Sequence, residues 1–134
     1  MIRSVVITGV STGIGYQLCV DFLSKGYLVF GSIRKPEDSQ RLSDKFGATF
    51  IPLYFDITDH AAIEKAALEV EKRLNGSTLT GLFNNAGLAI AGPLLHLSVN
   101  DLRYQFEVNV IGLIKVSQVF SGLLGTNNQR QGTP

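Results

Sequence analysis

Four short apolar runs alternate with four amphipathic stretches along this chain, and the alternation predicts strand and helix in turn. Residues 4–7, Ser-Val-Val-Ile, form a β-branched run that reads as a buried strand. A helix is predicted over 13–25, with Ile14, Leu18, Cys19 and Phe22 at helical spacing and Gly26 as its C-terminal stop. Residues 27–32 read as a second strand. Pro36 suits the first turn of a short helix through Leu42. A third strand is expected over 49–55, and its Pro52 favours a sheet edge. Thr58 or Asp59 then caps a helix carrying Ile63, Ala66, Ala67, Val70 and Leu74 on one face, which Asn75-Gly76 stops. Residues 79–83 read as a fourth strand.

A loop over 87–97 follows. Ser98-Val99-Asn100-Asp101 resembles a capping box with Asp in place of Glu. It opens a long helix bearing Leu102, Phe106, Val110, Leu113, Val116 and Phe120, which Gly125 ends. The polar tail 126–134 has no period and reads as loop. Right-handed crossovers between such units give an α/β fold, a doubly wound parallel sheet in the order 3-2-1-4. The fourth strand is uncharged and apolar on both faces, and nothing in the chain follows to pair with it. Natural sheets blunt such edges with charge or Pro. The sheet therefore reads as incomplete, its later strands missing, with one half-domain over 1–125 and a tail leading toward an absent fifth strand.

The first strand runs into Thr8-Gly9-Val10-Ser11-Thr12-Gly13-Ile14-Gly15, a glycine-rich turn that opens a helix. Glycines here permit the tight turn, the approach of backbone to a pyrophosphate, and close helix–strand packing. The helix start offers free N–H groups and partial positive charge to phosphates. Strand before and helix after are the context that makes this pattern a dinucleotide site. Its other reading is an ordinary strand-to-helix turn.

The spacing Thr-Gly-x-x-x-Gly-x-Gly resembles the short-chain dehydrogenase/reductase family. Three further segments resemble it in order: Phe55-Asp56-Ile57-Thr58-Asp59, Asn84-Asn85-Ala86-Gly87 and Asn109-Val110-Ile111-Gly112. The resemblance spans residues 2–125 and implies a Rossmann-like fold. It implies cofactor contacts from Gly9, Ser11, Thr12, Gly13, Ile14, Gly15, Arg34, Asp56, Ile57, Asn85, Ala86, Gly87 and Val110, with Asp56 and Ile57 toward adenine. It also implies that Asn109, a poor helix former between two valines, is a catalytic-tetrad member that organises a proton-relaying water. Asp56 could instead cap its helix, Asn85 could be a turn residue, and Asn109 could be structural.

Cofactor choice rests on the end of the second strand, where a carboxylate accepts from the ribose of NAD and an Arg accommodates the 2′-phosphate of NADP. Gly31-Ser32-Ile33-Arg34-Lys35 holds no carboxylate. Arg34 can pair with phosphate, and Ser11 and Thr12 can add hydroxyls, so NADP(H) is favoured over NAD(H). Thr12 stands where many NADP-preferring relatives carry a second basic residue.

The family's acid/base is a Tyr with Lys four residues on, helped by an upstream Ser; an unaided phenol near pKa ~10 exchanges protons poorly at neutral pH. Here Tyr16, Tyr27, Tyr54 and Tyr104 are followed at that spacing by Val20, Gly31, Thr58 and Val108. Of the tetrad, Asn109 alone is present. The expected function is thus the cofactor-binding part of an oxidoreductase that moves hydride between nicotinamide and an alcohol or carbonyl. The alternatives are a non-catalytic nucleotide-binding module and an inert truncated fragment. The segment Gly87-Leu88-Ala89-Ile90-Ala91-Gly92-Pro93-Leu94 resembles relatives that handle apolar steroids and retinoids.

Net charge is +1 and the twelve Lys and Arg are scattered, which argues against nucleic-acid or membrane partners. The single Cys19 suits a reducing, cytoplasmic setting. His60 and His96 have no metal-site spacing. Relatives pair through the helix at 98–124, so a homo-oligomer is expected.

Overall fold

The computed structural model describes residues 2–88 and 92–125. Residues 89–91 of the predicted loop and the tail 126–134 lie outside the described residues. Four parallel strands, β1 (Ser4–Ile7), β2 (Leu28–Ile33), β3 (Phe50–Tyr54) and β4 (Gly81–Phe83), form one sheet in the order β3-β2-β1-β4. Pro52 lies on β3, an edge strand of that sheet, where a missing N–H is tolerated.

Period-two alternation explains how the sheet is covered. Val5 and Ile7 of β1 and Val29 and Ile33 of β2 point to one face. There they pack with Cys19 of helix α1 (Gly13–Ser24) and Leu42 of α2 (Pro36–Phe46). Val6 and Phe30 point to the other face. They meet Ile63, Ala66, Val70 and Leu74 of α3 (His60–Leu74) and Val116 and Phe120 of α5 (Leu113–Ser121). Full burial of a side chain such as Phe30 contributes roughly 2–3 kcal/mol. Burial pushes the Cys19 thiol up to about 12, so this cysteine is an inert core residue.

Strand β4 is Gly81–Phe83, shorter than the expected 79–83, and a 3-10 turn, Leu94–His96, lies within the expected loop; two further differences are larger. Helix α2 runs past Leu42 to Phe46. Its stop is Gly47 at φ +81, and Phe46 is held between Tyr16 and Phe50 at ring distances of 5.3 and 5.4 Å. The predicted long helix is four pieces: α4 (Val99–Phe106), a π-helical segment (Glu107–Gly112), α5 and a closing 3-10 turn (Gly122–Leu124). Ser98 Oγ caps α4 by accepting from the Asp101 amide at 3.0 Å. The wider π turns carry Asn109 toward the loop after β4 and set Gly112 against Ile57. A Cβ on Gly112 would meet the Ile57 side chain and carbonyl at 2.8 Å. Such interruptions commonly mark functional positions. The run Val99–Leu124 is long and apolar enough by length and composition to cross a bilayer; 28% of its apolar stretch is buried, with Val108, Val116, Phe120 and Leu123 in the core.

Candidate dinucleotide site

The loops at the carboxyl ends of the strands surround a cleft of about 490 Å³. This is where ligands bind in open α/β sheets, at the point where the strand order reverses around β1. Side-chain-to-backbone hydrogen bonds hold its walls.

Thr8, just beyond β1, is buried, and its Oγ1 accepts from the amides of Asn85 and Ala86, each at 3.0 Å. Asn85 returns the tie: its Nδ2 donates to the Gly9 carbonyl at 2.9 Å. The Gly9 amide donates to Ser32 Oγ at 2.9 Å, which joins the turn to the end of β2. The glycine turn is thereby fixed to both neighbouring strands.

Glycine is required at three positions here, the first being Gly9, which has φ +70 and where a Cβ would come within 2.9 Å of Ala86 Cα. Gly13 has φ +64, a left-handed conformation that side-chain-bearing residues adopt at a cost. Gly15 is buried, and a Cβ there would overlap the Gly9 carbonyl and approach Asn85 Nδ2 to 2.5 Å. Thr12 is the N-cap of α1 and its side chain makes no capping bond. First-turn amides have no intrahelical acceptor, so this helix start is suited to an anionic ligand.

Of the residues expected at the site, Gly9, Ser11, Thr12, Arg34, Asp56, Ile57, Asn85, Ala86 and Gly87 line the cleft. Gly13, Ile14 and Gly15 sit at the start of α1 beside it, with Ile14 74% exposed. Val110 is 43% exposed and off the wall; Val108, 5% exposed, lines it instead. Arg34 and Lys35 are both exposed. One oxygen of Asp56 accepts from the Thr58 amide (2.9 Å) and hydroxyl (2.8 Å), while Asp59 caps α3.

Asn109 holds the main chain of Leu88 from both sides. Its Oδ1 accepts from the Leu88 amide at 2.9 Å and its Nδ2 donates to the Leu88 carbonyl at 2.6 Å. A Cβ on Gly87 would come within 3.2 Å of Asn109 Oδ1, so the loop passes close to the π segment. Asn109 therefore positions the Asn85–Leu88 wall, whatever else it does.

Sequence reasoning missed Thr8, Ser32, Asp38, Leu88, Tyr104 and Val108 as parts of this site. It also missed Arg41, whose Nη2 donates to the Ser11 carbonyl at 2.9 Å and lies 3.2 Å from Asp38 Oδ1. His60 Nε2 lies 3.2 Å from Glu107 Oε1 and His96 is exposed. Among the described residues, no three His, Cys, Asp or Glu side chains converge as a metal site would need.

The family model for short chain dehydrogenase matches residues 3–133. The chain is 44% identical over 127 residues to the NADPH-dependent 3-dehydrocapnine reductase of Ornithobacterium rhinotracheale, covering 95% of this chain and 45% of that one. It is 34% identical over 119 residues to the NADPH-dependent 1-acyldihydroxyacetone phosphate reductase of Schizosaccharomyces pombe, covering 88% and 39%. Its fold superposes on NADPH-bound carbonyl reductase from chicken fatty liver with a TM-score of 0.83 at 32% identity, covering 91% of this chain and 48% of that one. The chain thus spans less than half the length of these relatives. With a glycine turn, sheet order and strand-end loops of one pattern, the chain belongs to the short-chain dehydrogenase family.

Proposed function

We propose that this chain is the NADP(H)-binding part of an oxidoreductase that moves hydride between nicotinamide and the carbonyl or alcohol of an apolar substrate. The carrying observation is the cleft wall at the end of β2. There Arg34 and Lys35 stand beside Ser11 and Thr12, and a guanidinium pairs with a phosphate dianion through two parallel bonds. The naming of two relatives as NADPH-dependent supports the same choice.

The residues fit such a cofactor. First-turn amides at 13–15 would meet the pyrophosphate, Arg34 the 2′-phosphate, and Asp56, Ile57 and Val108 the adenine end. Asn85, Ala86 and Gly87 would border the ribose on the way to the nicotinamide. The bound cofactor supplies the hydride; this chain binds and orients it. Proton transfer falls to groups outside this sequence, since no Tyr here precedes a Lys by four residues. That same observation favours a second reading, a nucleotide-binding module without catalysis. We further propose a cytoplasmic setting, pairing of two copies through the helical run at 98–124, and no nucleic-acid or membrane partner.

Fluorescence titration with NADPH and NADH tests the binding reading. Tighter binding of NADPH, lost on Arg34→Ala, is expected; equal affinities in the unmutated protein overturn it. Carbonyl-dependent NADPH oxidation by this chain alone would overturn the assignment of proton transfer to other groups.

A further inference from the structure

We infer that Arg41 is a positioning residue for cofactor selectivity, acting through Ser11 and Asp38 rather than by touching the nucleotide; this rests on the NADP(H) reading above. Arg41 lies on α2, thirty positions from Ser11, yet its guanidinium bridges the Ser11 carbonyl (2.9 Å) and the Asp38 carboxylate (3.2 Å). Ser11 and Asp38 both line the cleft, beside Thr12, Arg34 and Lys35. Arg41 does not line it.

Two consequences follow from charge and geometry. Asp38 is a carboxylate on the wall where the second phosphate would sit. Left free, it would repel a dianion and offer an acceptor to an unphosphorylated ribose, which is how carboxylates select NAD. Engaged by Arg41, its charge is offset and one of its two oxygens, Oδ1, is held. The Ser11 bond also fixes the crest of the glycine turn just ahead of the α1 amides. The carboxylate at position 38 and its neutralising partner one helical turn on thus form a selectivity element that the strand-end motif alone does not contain.

The test is calorimetric titration of the intact protein and its variants with adenosine 2′,5′-bisphosphate, 5′-AMP, NADPH and NADH, with thermal melts alongside. Arg41→Met is expected to weaken the two 2′-phosphorylated ligands about 3- to 30-fold, less than loss of a direct charge-assisted contact because Arg41 is exposed and acts through its neighbours. It should weaken 5′-AMP and NADH less, since they lose only the support that the Ser11 bond gives the glycine turn. Asp38→Asn in the Arg41→Met background should recover most of the lost NADPH affinity. Equal losses for all four ligands, or no loss, overturn the inference. If Arg41→Met fails to fold, Arg41→Gln decides by the same ratio: a lowered NADPH-to-NADH preference supports the inference and an unchanged one overturns it. An unmutated protein that binds neither dinucleotide overturns the proposed function itself, a result distinct from the failures above.

Discussion

The two flanks of β1 are built to different standards. Toward β2 the sheet is long and dry: six residues of β2 pair with β1 and β3, five of them are buried, and helices cover both faces. Toward β4 it is short: three residues, each half-buried. Beyond β4 the helical run exposes Phe106, Val110 and Ile114 at four-residue spacing, with Ile111 beside them. Yet both flanks supply the cleft. The β2 side brings charge through Arg34, Lys35 and Asp38; the β4 side brings amides and apolar wall through Asn85, Ala86, Leu88 and Val108. Burial and ligand contact are therefore distributed differently over the two flanks, which the Gly9 bonds to Ser32 and Asn85 tie together.

The largest contrast should be in stability. Phe30→Ala is expected to cost about 3–5 kcal/mol by urea denaturation, whereas Leu82→Ala on β4 should cost about 1–2, because a half-buried side chain leaves less of a cavity. Both side chains pack on one cluster, so equal costs would show that the difference in their burial does not set their contributions. Next comes Gly15→Ala, whose methyl would displace the Gly9 carbonyl and Asn85. NADPH affinity should fall at least about 100-fold, near 2.7 kcal/mol, with a smaller change in melting temperature. Arg34→Ala should reduce NADPH affinity about 10-fold or more while sparing NADH, consistent with one lost charged contact. Ile114→Glu should lower the mass seen in sedimentation without altering nucleotide binding, if the apolar stripe is where two copies meet.

The smallest effect concerns Glu64 and Lys115, which tie α3 to α5 at 2.6 Å. The Lys115 ammonium, by hydrogen bond first and charge second, holds the Glu64 carboxyl below its usual value. Its stabilising contribution is present above the ordinary carboxylate value and fades as pH falls through the lowered one. Lys115→Met should flatten the acid limb of the melting profile slightly; a profile identical to that of the unmutated protein would show that the pair is idle.

What could be read from the chain was what repeats locally. Short apolar runs placed the strands, and the glycine turn and Asn84-Asn85-Ala86-Gly87 placed the site at their ends. What could not be read was what joins distant residues. Thr8 reaches Asn85 and Ala86, Arg41 reaches Ser11, and Asn109 reaches Leu88, through side-chain-to-backbone bonds that leave no period in sequence. The π segment is the clearest case. A regular 3.6-residue count carries straight through 98–124, but the wider turns shift the phase, so Val108 lines the cleft while Val110 faces outward.

The central claim is that the loops at 8–15, 32–35 and 84–88 together grip a phosphorylated dinucleotide. Amide NMR shifts during titration with NADP⁺ test it most directly. The account predicts saturable shifts concentrated at Gly9, Gly13, Gly15, Arg34, Asn85 and Ala86, with α3 silent. Shifts that cluster elsewhere, or none at saturating nucleotide, would contradict it.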